Sequence, residues 1–452
     1  MTVFLYLLFA SVCCFLFMWG LVRSGRTYQF PFLAGSAFGA VMLPEFVGLY
    51  DDYALPIDGL NKALGMCILC SVMCYFGYAL RPRIPRVFHW ELDENRLLVS
   101  SIVLTASGAY FFFCLTRLPD EIVQESQWTG TAVAYHFLSQ ALVYGFAIAC
   151  LLYLRNRSAL ALFIIAVGAL FFLDRIVIGG RRAVTAQFVL IVLCSLWFCR
   201  RWAVPRPVMV GAIVAGSLAC FSIGHYRDVM QDGRAYHSYL RHSTNVSSNA
   251  LRAIPFVDRF VEILQAGGPG ARGAVYEIAA KDYTQEFDYG LWHWNRLVFN
   301  FVPGQVFGHE TKQSLIVPIK DDAWTVYAYD RPAGLSILGI SDAFNSFWYF
   351  GCIKFLAMGY AFKIIYSAAI RESMVGQLAY TCVIHSSITS ILQDTHYFLL
   401  ALLTMVIFVL PWIYWSKCSA TTSSVNSPTP ISSRYWRHGR GSLRRRFNAS
   451  RI

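Results

Sequence analysis

Charge is what this chain has least of. Asp, Glu, Lys and Arg make up 14% of its 452 residues against 56% hydrophobic residues, whereas soluble proteins carry about 25% charged residues. A chain so poor in charge cannot coat its helices for water, which excludes the soluble enzyme classes. No Lys or Arg precedes Arg23, so the first apolar stretch lacks the basic n-region of a secretory signal and reads as a retained helix. The long polar segment from Tyr226 to about Pro332 has no cysteine, and therefore no disulfide framework. No G-x-S-x-G, H-E-x-x-H or Walker sequence occurs, which counts against a hydrolase or an ATPase.

What the chain does have is apolar runs of about 20 residues, each long enough to cross a bilayer. They cover about Val3–Val22, Phe30–Tyr50, Leu60–Leu80, Leu97–Thr116, Thr131–Leu154, Ser158–Ile178, Ala183–Phe198 and Val208–Ile223. After the polar segment come Phe344–Tyr366, Val375–Leu392 and Tyr397–Trp415. The fold class is an all-α polytopic membrane protein with about eleven transmembrane helices and one large outer loop. Four regions follow: N-terminal helices to 225, the large loop 226–332, C-terminal helices 333–416, and a basic tail 417–452 too poor in apolar residues to fold. A loop of that length between membrane helices exceeds a connector and is expected to form the water-facing half of a site.

The net charge of +12 is topological rather than a nucleic-acid signature, because Lys and Arg concentrate in alternate loops. Arg23 and Arg26, then Arg81, Arg83 and Arg86, Arg155 and Arg157, Arg200, Arg201 and Arg206, Lys363 and Arg371, and the tail share one side. The positive-inside rule makes that side cytoplasmic. The N-terminus and the large loop are then outside, and the C-terminus inside. Asp51, Asp52, Asp58, Asp120, Glu121 and Glu125 fall in the outer loops. Arg181 and Arg182 break the rule, since they follow Gly179-Gly180 on the outer side.

Arginine there points to chemistry. Its planar fork matches phosphate oxygens and stays charged near lipid, although a snorkelling pair of interfacial anchors has the same composition. Arg227, just past the eighth span, and Arg296, in His293-Trp294-Asn295-Arg296, add cations at the same surface; a helix-end anchor accounts for Arg227 equally well. His385 in an apolar span and Asp394 with His396 at a helix junction are ionisable groups at membrane depth, where they face the protein interior. Each is a candidate general base, as is Asp288 in Glu286-Phe287-Asp288; a hydrogen-bonded core histidine is the plainer account of His385. The pairs Glu286/Asp288 and Glu91/Asp93 define no metal geometry. Cys67 and Cys70 lie mid-helix without further ligands, which reads as packing. Gly267-Gly268-Pro269-Gly270 reads as a turn. No metal and no cofactor is expected.

These stretches resemble the oligosaccharide repeat-unit polymerases, the Wzy family of bacterial surface-glycan assembly. The carrying residues are Ile178-Gly179-Gly180-Arg181-Arg182-Ala183, Arg227, the run from Arg296 through Phe301-Val302-Pro303-Gly304, and Leu335-Ser336-Ile337-Leu338-Gly339 through Phe350-Gly351-Cys352. The family pattern matches Arg182 better than Arg181, and a more usual glycine near Ser341-Asp342-Ala343 is absent. The resemblance implies a GT-C-like plan in the bacterial inner membrane. Its implied partners are an undecaprenyl-diphosphate-linked oligosaccharide, membrane lipid, a chain-length regulator and a flippase, with no nucleic acid. It implies glycosyl transfer, with Arg182 and Arg227 on diphosphate, Arg181 and Arg296 supporting, and the base open between His385, Asp394 and Asp288. An O-antigen ligase would share the fold and the donor. A lipid-linked oligosaccharide flippase would instead line many spans with charge.

Overall fold

The computed structural model describes residues 1–118, 130–178, 181–232, 256–302, 304–332 and 335–418. The Gly179-Gly180 pair, Asp120, Glu121, Glu125, Pro303 and the tail from Ser419 lie outside the described residues, as does the side chain of Arg227. Among the described residues every regular element is helical. Lipid offers the backbone no hydrogen-bond partner, so spanning segments of this composition bond internally as helices.

Among the described residues ten helices are long and apolar enough to cross a membrane. They are α1 (Thr2–Leu21), α2 (Phe30–Val47), α3 (Ile57–Ala79), α4 (Glu94–Thr116), α5 (Thr131–Asn156), α6 (Ala159–Val177) and α7 (Arg182–Arg200), followed later by Gly339–Ile370, Met374–Leu392 and His396–Ser416. The eighth run lies in α8 (Arg206–Asp232), whose apolar part, Arg206–Ser222, spans about 25 Å at 1.5 Å per residue, short of the roughly 30 Å core. The polar segment holds α9 (Phe256–Ala266), α10 (Pro269–Thr284) and α11 (Leu291–Phe301), with three shorter helices at Gly304–Phe307, His309–Ser314 and Asp322–Tyr327. The ninth run starts earlier than its hydropathy suggests and is broken. Its first part is α12 (Gly339–Phe347); a 3-10 turn at Trp348–Cys352 leads to α13 (Ile353–Ile370). The break needs glycine: a Cβ at Gly351 would stand 1.8 Å from the Ala343 carbonyl. Helices α14 (Met374–Leu392) and α15 (His396–Ser416) complete the chain.

Close packing of small residues holds the spans together, as it must where lipid is as apolar as the interface. A Cβ on Gly77 of α3 would lie 2.0 Å from Leu356 O of α13, and one on Gly359 of α13 would lie 2.5 Å from Cys74 O of α3. Cys67, Cys70 and Cys74 are fully buried on α3. Helices α4 and α5 meet the same way through Gly108 and Gly145. Polar caps mark the ends: Asp93 accepts from Asn95 N at 2.9 Å, and Ser373 from Gly376 N at 3.1 Å.

The two ends of the bundle keep their loops apart. At one end Arg155 bonds Gln377 at 2.7 Å and lies 3.7 Å from Glu94. Arg201 lies 3.6 Å from Glu372, Arg206 donates to Val22 O, and Cys418 N donates to Glu91 O. These are the basic loops that the sequence groups together. At the other end the polar segment is clamped to the spans. Glu45 of α2 accepts from Ala271 N at 2.9 Å, capping α10, and its backbone carbonyl takes Gly268 N. A Cβ on Gly268 would lie 2.2 Å from the Glu45 side chain, so the glycine-rich turn is a close-approach site that opens a helix. Arg272 pairs with Asp52 at 2.6 Å, and Lys62 pairs with Asp282.

Candidate functional site

A tight turn sets the entry to α11. Asp288 Oδ1 accepts from Gly290 N at 2.8 Å, and Gly290 takes φ +89°. Asp288 N and Tyr289 N donate to Asn345 O and Ser346 O at 3.0 and 3.1 Å, pinning α11 to α12. His293 and Arg296 follow three residues apart on α11, the spacing that puts two side chains on one helix face. Facing them is the turn between α14 and α15, which carries Asp394 and Thr395.

Asp342 of α12, 2% exposed, is the anchor of this junction. Its Oδ2 accepts from Thr395 N at 3.0 Å and from the Thr395 hydroxyl. The same oxygen lies 3.5 Å from Lys354 Nζ, which also donates to Ser346 Oγ at 2.8 Å. His293 Nε2 lies 2.8 Å from Thr395 Oγ1 and 3.5 Å from Asp342 Oδ2. The threonine proton is committed to Asp342, so Nε2–H donates to Thr395 and the imidazole keeps its lone pair on Nδ1. That nitrogen is buried without a hydrogen-bond partner. Burial pushes the His293 imidazole below its ordinary range, partly offset by Asp342, with Lys354 and His396 adding to the shift. It is therefore neutral at pH 7, as a general base must be.

Beside it, Arg296 Nη2 lies 4.0 Å from Asp394 Oδ2, and the guanidinium stacks 4.5 Å over Trp292. His396 Nδ1 is 3.4 Å from the same Asp394 oxygen. Asp394 is 3% exposed, while the Arg296 side chain is 41% exposed. The cation thus reaches water while its counter-ion is held inside.

Next to this junction lies a cavity of about 240 Å³. Its wall carries Lys281, Lys320 and Arg331 against Glu277, Asp288, Asp321, Asp322 and Asp342, three cations to five carboxylates. Arg331 bonds Glu277 at 2.5 Å, and Lys281 pairs with Asp322 while donating to Glu286 O at 2.8 Å. Burial nevertheless pushes Glu277 up to about 7, with Arg331 opposing and Asp394 adding to the rise.

The structure brings together Asp394, Arg296 and Asp288 around α11. Asp288 is a turn former as well as a wall residue. His385 lies elsewhere along α14, with Nδ1 3.1 Å from Cys382 O of its own helix. Arg181 and Arg182 are both exposed at the start of α7. Arg182 Nη1 donates to Cys220 O at 2.6 Å, tying α7 to α8, and Arg181 N donates to Arg175 O at 3.3 Å. Arg227 belongs to α8. Sequence reasoning missed the roles of His293, Asp342, Thr395, Lys354, Glu277 and Arg331. One signal was there: Lys354 stands inside an apolar run, and a charge at that depth marks a site by default. Comparison with protein-family models, with curated proteins and with solved structures finds no match.

Proposed function

We propose that the chain is a membrane glycosyltransferase that polymerises undecaprenyl-diphosphate-linked oligosaccharide repeat units on the periplasmic face of a bacterial inner membrane. The product would be an O-antigen, capsule or exopolysaccharide. The observation that carries this reading is the pairing on α11. A neutral imidazole with a free Nδ1 and a water-reaching guanidinium stand three residues apart, and adjacent residues of one turn, Thr395 and Asp394, hold them. Glycosyl transfer from a lipid diphosphate needs that combination. The acceptor hydroxyl attacks the anomeric carbon while its proton passes to His293 Nδ1, a nitrogen that is buried here and that substrate entry must uncover. The bond from that carbon to the diphosphate oxygen breaks, and its electron pair leaves with the diphosphate. Arg296 stabilises the departing charge, a task a preorganised cation performs without reorganisation. The resemblance assigns Arg181, Arg182 and Arg227 to the lipid-linked diphosphate as well. The positive-inside pattern supports the periplasmic placement of this site.

The test is a gel of surface glycan from a strain lacking the protein, complemented with the natural chain, Arg296→Ala or Arg182→Ala. Single repeat units at the surface with the ladder lost, in the deletion and in both variants, support the polymerase. Full-length polymer retained on its lipid carrier means the O-antigen ligase instead. Units trapped on the cytoplasmic leaflet mean a flippase, and the proposal falls.

A further inference from the structure

We infer that the cavity beside α11 is the acceptor-sugar subsite and that it selects a neutral or amino-bearing sugar over an acidic one; this rests on the glycosyltransferase reading above. The argument starts from three oxygens. Glu277 Oε2, Asp342 Oδ1 and Asn345 Oδ1 are buried with no hydrogen-bond partner, and all three residues line the cavity. Glu277 is 6% exposed and Asp342 2%. A buried acceptor left unmade is costly, so native structures supply it with a donor. The same wall holds two buried donors without a partner, Trp292 Nε1 and Arg331 Nε, so the missing partner carries both kinds of group, with donors in the majority, as a sugar with its hydroxyls does. Sugar hydroxyls, acetamido N–H groups and ammonium groups are donors; carboxylates and phosphates are acceptors only and would face more acceptors.

Charge points the same way. Three cations stand against five carboxylates in the wall; even with Glu277 pushed up to about 7 and Lys354 beside Asp342, the wall offers no cation left over for an anion. All three cations are already engaged: Lys281 with Asp322, Arg331 with Glu277 and Lys320 with Glu286. A diphosphate or a uronate would be repelled here and drawn to Arg296 outside. Size agrees as well. A volume of about 240 Å³ falls below the roughly 300–1,000 Å³ of drug-sized pockets, which suits one or two sugar rings. Trp292 in the wall carries Arg296 on one face and so joins the sugar pocket to the cation that takes the diphosphate. The division of labour is then spatial. The anionic lipid diphosphate stays on the exposed arginine side, and the donor-bearing acceptor ring enters the acidic cavity, its attacking hydroxyl at the Trp292 wall, next in sequence to His293.

The test is saturation-transfer difference NMR on the full chain in lipid nanodiscs, with glucosamine, N-acetylglucosamine and glucuronate as probes. Saturation transfer to glucosamine and N-acetylglucosamine should exceed that to glucuronate by about tenfold or more, the scale on which charge mismatch discriminates. The signal should be lost in Asn345→Ala and in Glu277→Gln, each checked for folding by circular dichroism. If Glu277→Gln does not fold, Asn345→Ala decides alone. Equal or stronger transfer to glucuronate, no transfer to either other sugar, or a signal unchanged in the folded variants would overturn the subsite, whatever the glycan gel shows. Sugars that bind as expected in a protein whose deletion leaves the ladder intact would keep the subsite and remove the polymerase.

Discussion

At the scale of single residues, the site depends on one proton's position. The Thr395 hydroxyl gives its hydrogen to Asp342, which forces His293 to donate through Nε2 and frees Nδ1. Removing the base, His293→Ala, should lower turnover by about 10²–10⁴-fold, the usual contribution of general-base catalysis. Thr395→Val keeps the volume but releases the tautomer, and should cost less, with His293 still present; single-turnover transfer assays separate the two. Arg296→Ala should cost about 10²–10³-fold, as losing one charge-stabilising group does, and Arg296→Lys should restore only part of it because lysine lacks the planar fork. The pH profile carries a sign. Because burial lowers the His293 pKa, the acidic limb of kcat/KM should lie below the ordinary histidine value of about 6.5; a limb above that would remove His293 as the base. Glu277 works oppositely. Its folded pKa is raised to about 7, so its contribution to stability is full below its unfolded value and is lost as pH rises toward about 7. Glu277→Gln should flatten the melting temperature between about pH 5 and 8, a range that brackets this titration.

At the scale of elements, the site is held by backbone approach rather than by side-chain bulk. Helix α12 starts against the α14–α15 turn: a Cβ on Gly339 would lie 2.0 Å from Ser390 O and 2.9 Å from Gln393 O. Gly339→Ala must push Asp342 away from Thr395, and should cost about 1–3 kcal/mol of stability, as overpacking does, along with the glycan ladder. Gly216→Ala on α8 is the control, since nothing lies within 4 Å of the added carbon; it should keep both. Melting curves in detergent and the surface-glycan gel read the pair. The broken ninth run belongs to this scale too. Hydropathy reads Phe344–Tyr366 as one smooth span, but the chain turns at Trp348, φ +53°, and places Lys354 back beside Asp342. A window average sees apolar residues and passes over one lysine, which is the residue that shows the helix is not simply lipid-facing.

At the scale of the whole molecule, the loops sort to two ends, and the polar segment is bolted to one of them by Glu45, Asp52 and Lys62. An impermeant maleimide added to intact cells, in a chain whose exposed Cys14 and Cys418 are replaced, should label Tyr283→Cys at once. Glu372→Cys, at the opposite end, should be labelled only after permeabilisation. The reverse pattern would invert the orientation and remove the periplasmic site.

Composition and hydropathy by themselves determined that this is a helical, multi-pass membrane protein, and the alternation of basic loops determined which of them meet. Those properties are sums over many residues, and each span satisfies its own backbone, so no long-range information is required. Asp394, Arg296 and Asp288 were legible as candidates because a charged side chain near lipid stands out in any apolar sequence. Their company was not. The triad of His293, Thr395 and Asp342 joins residues separated by 53 and 102 positions, and the cavity draws Glu277, Arg331 and Asn345 from three separate stretches. Only the tertiary structure decided this, because which carboxylate meets which imidazole depends on helix register and glycine contacts between distant segments, and no local pattern encodes them.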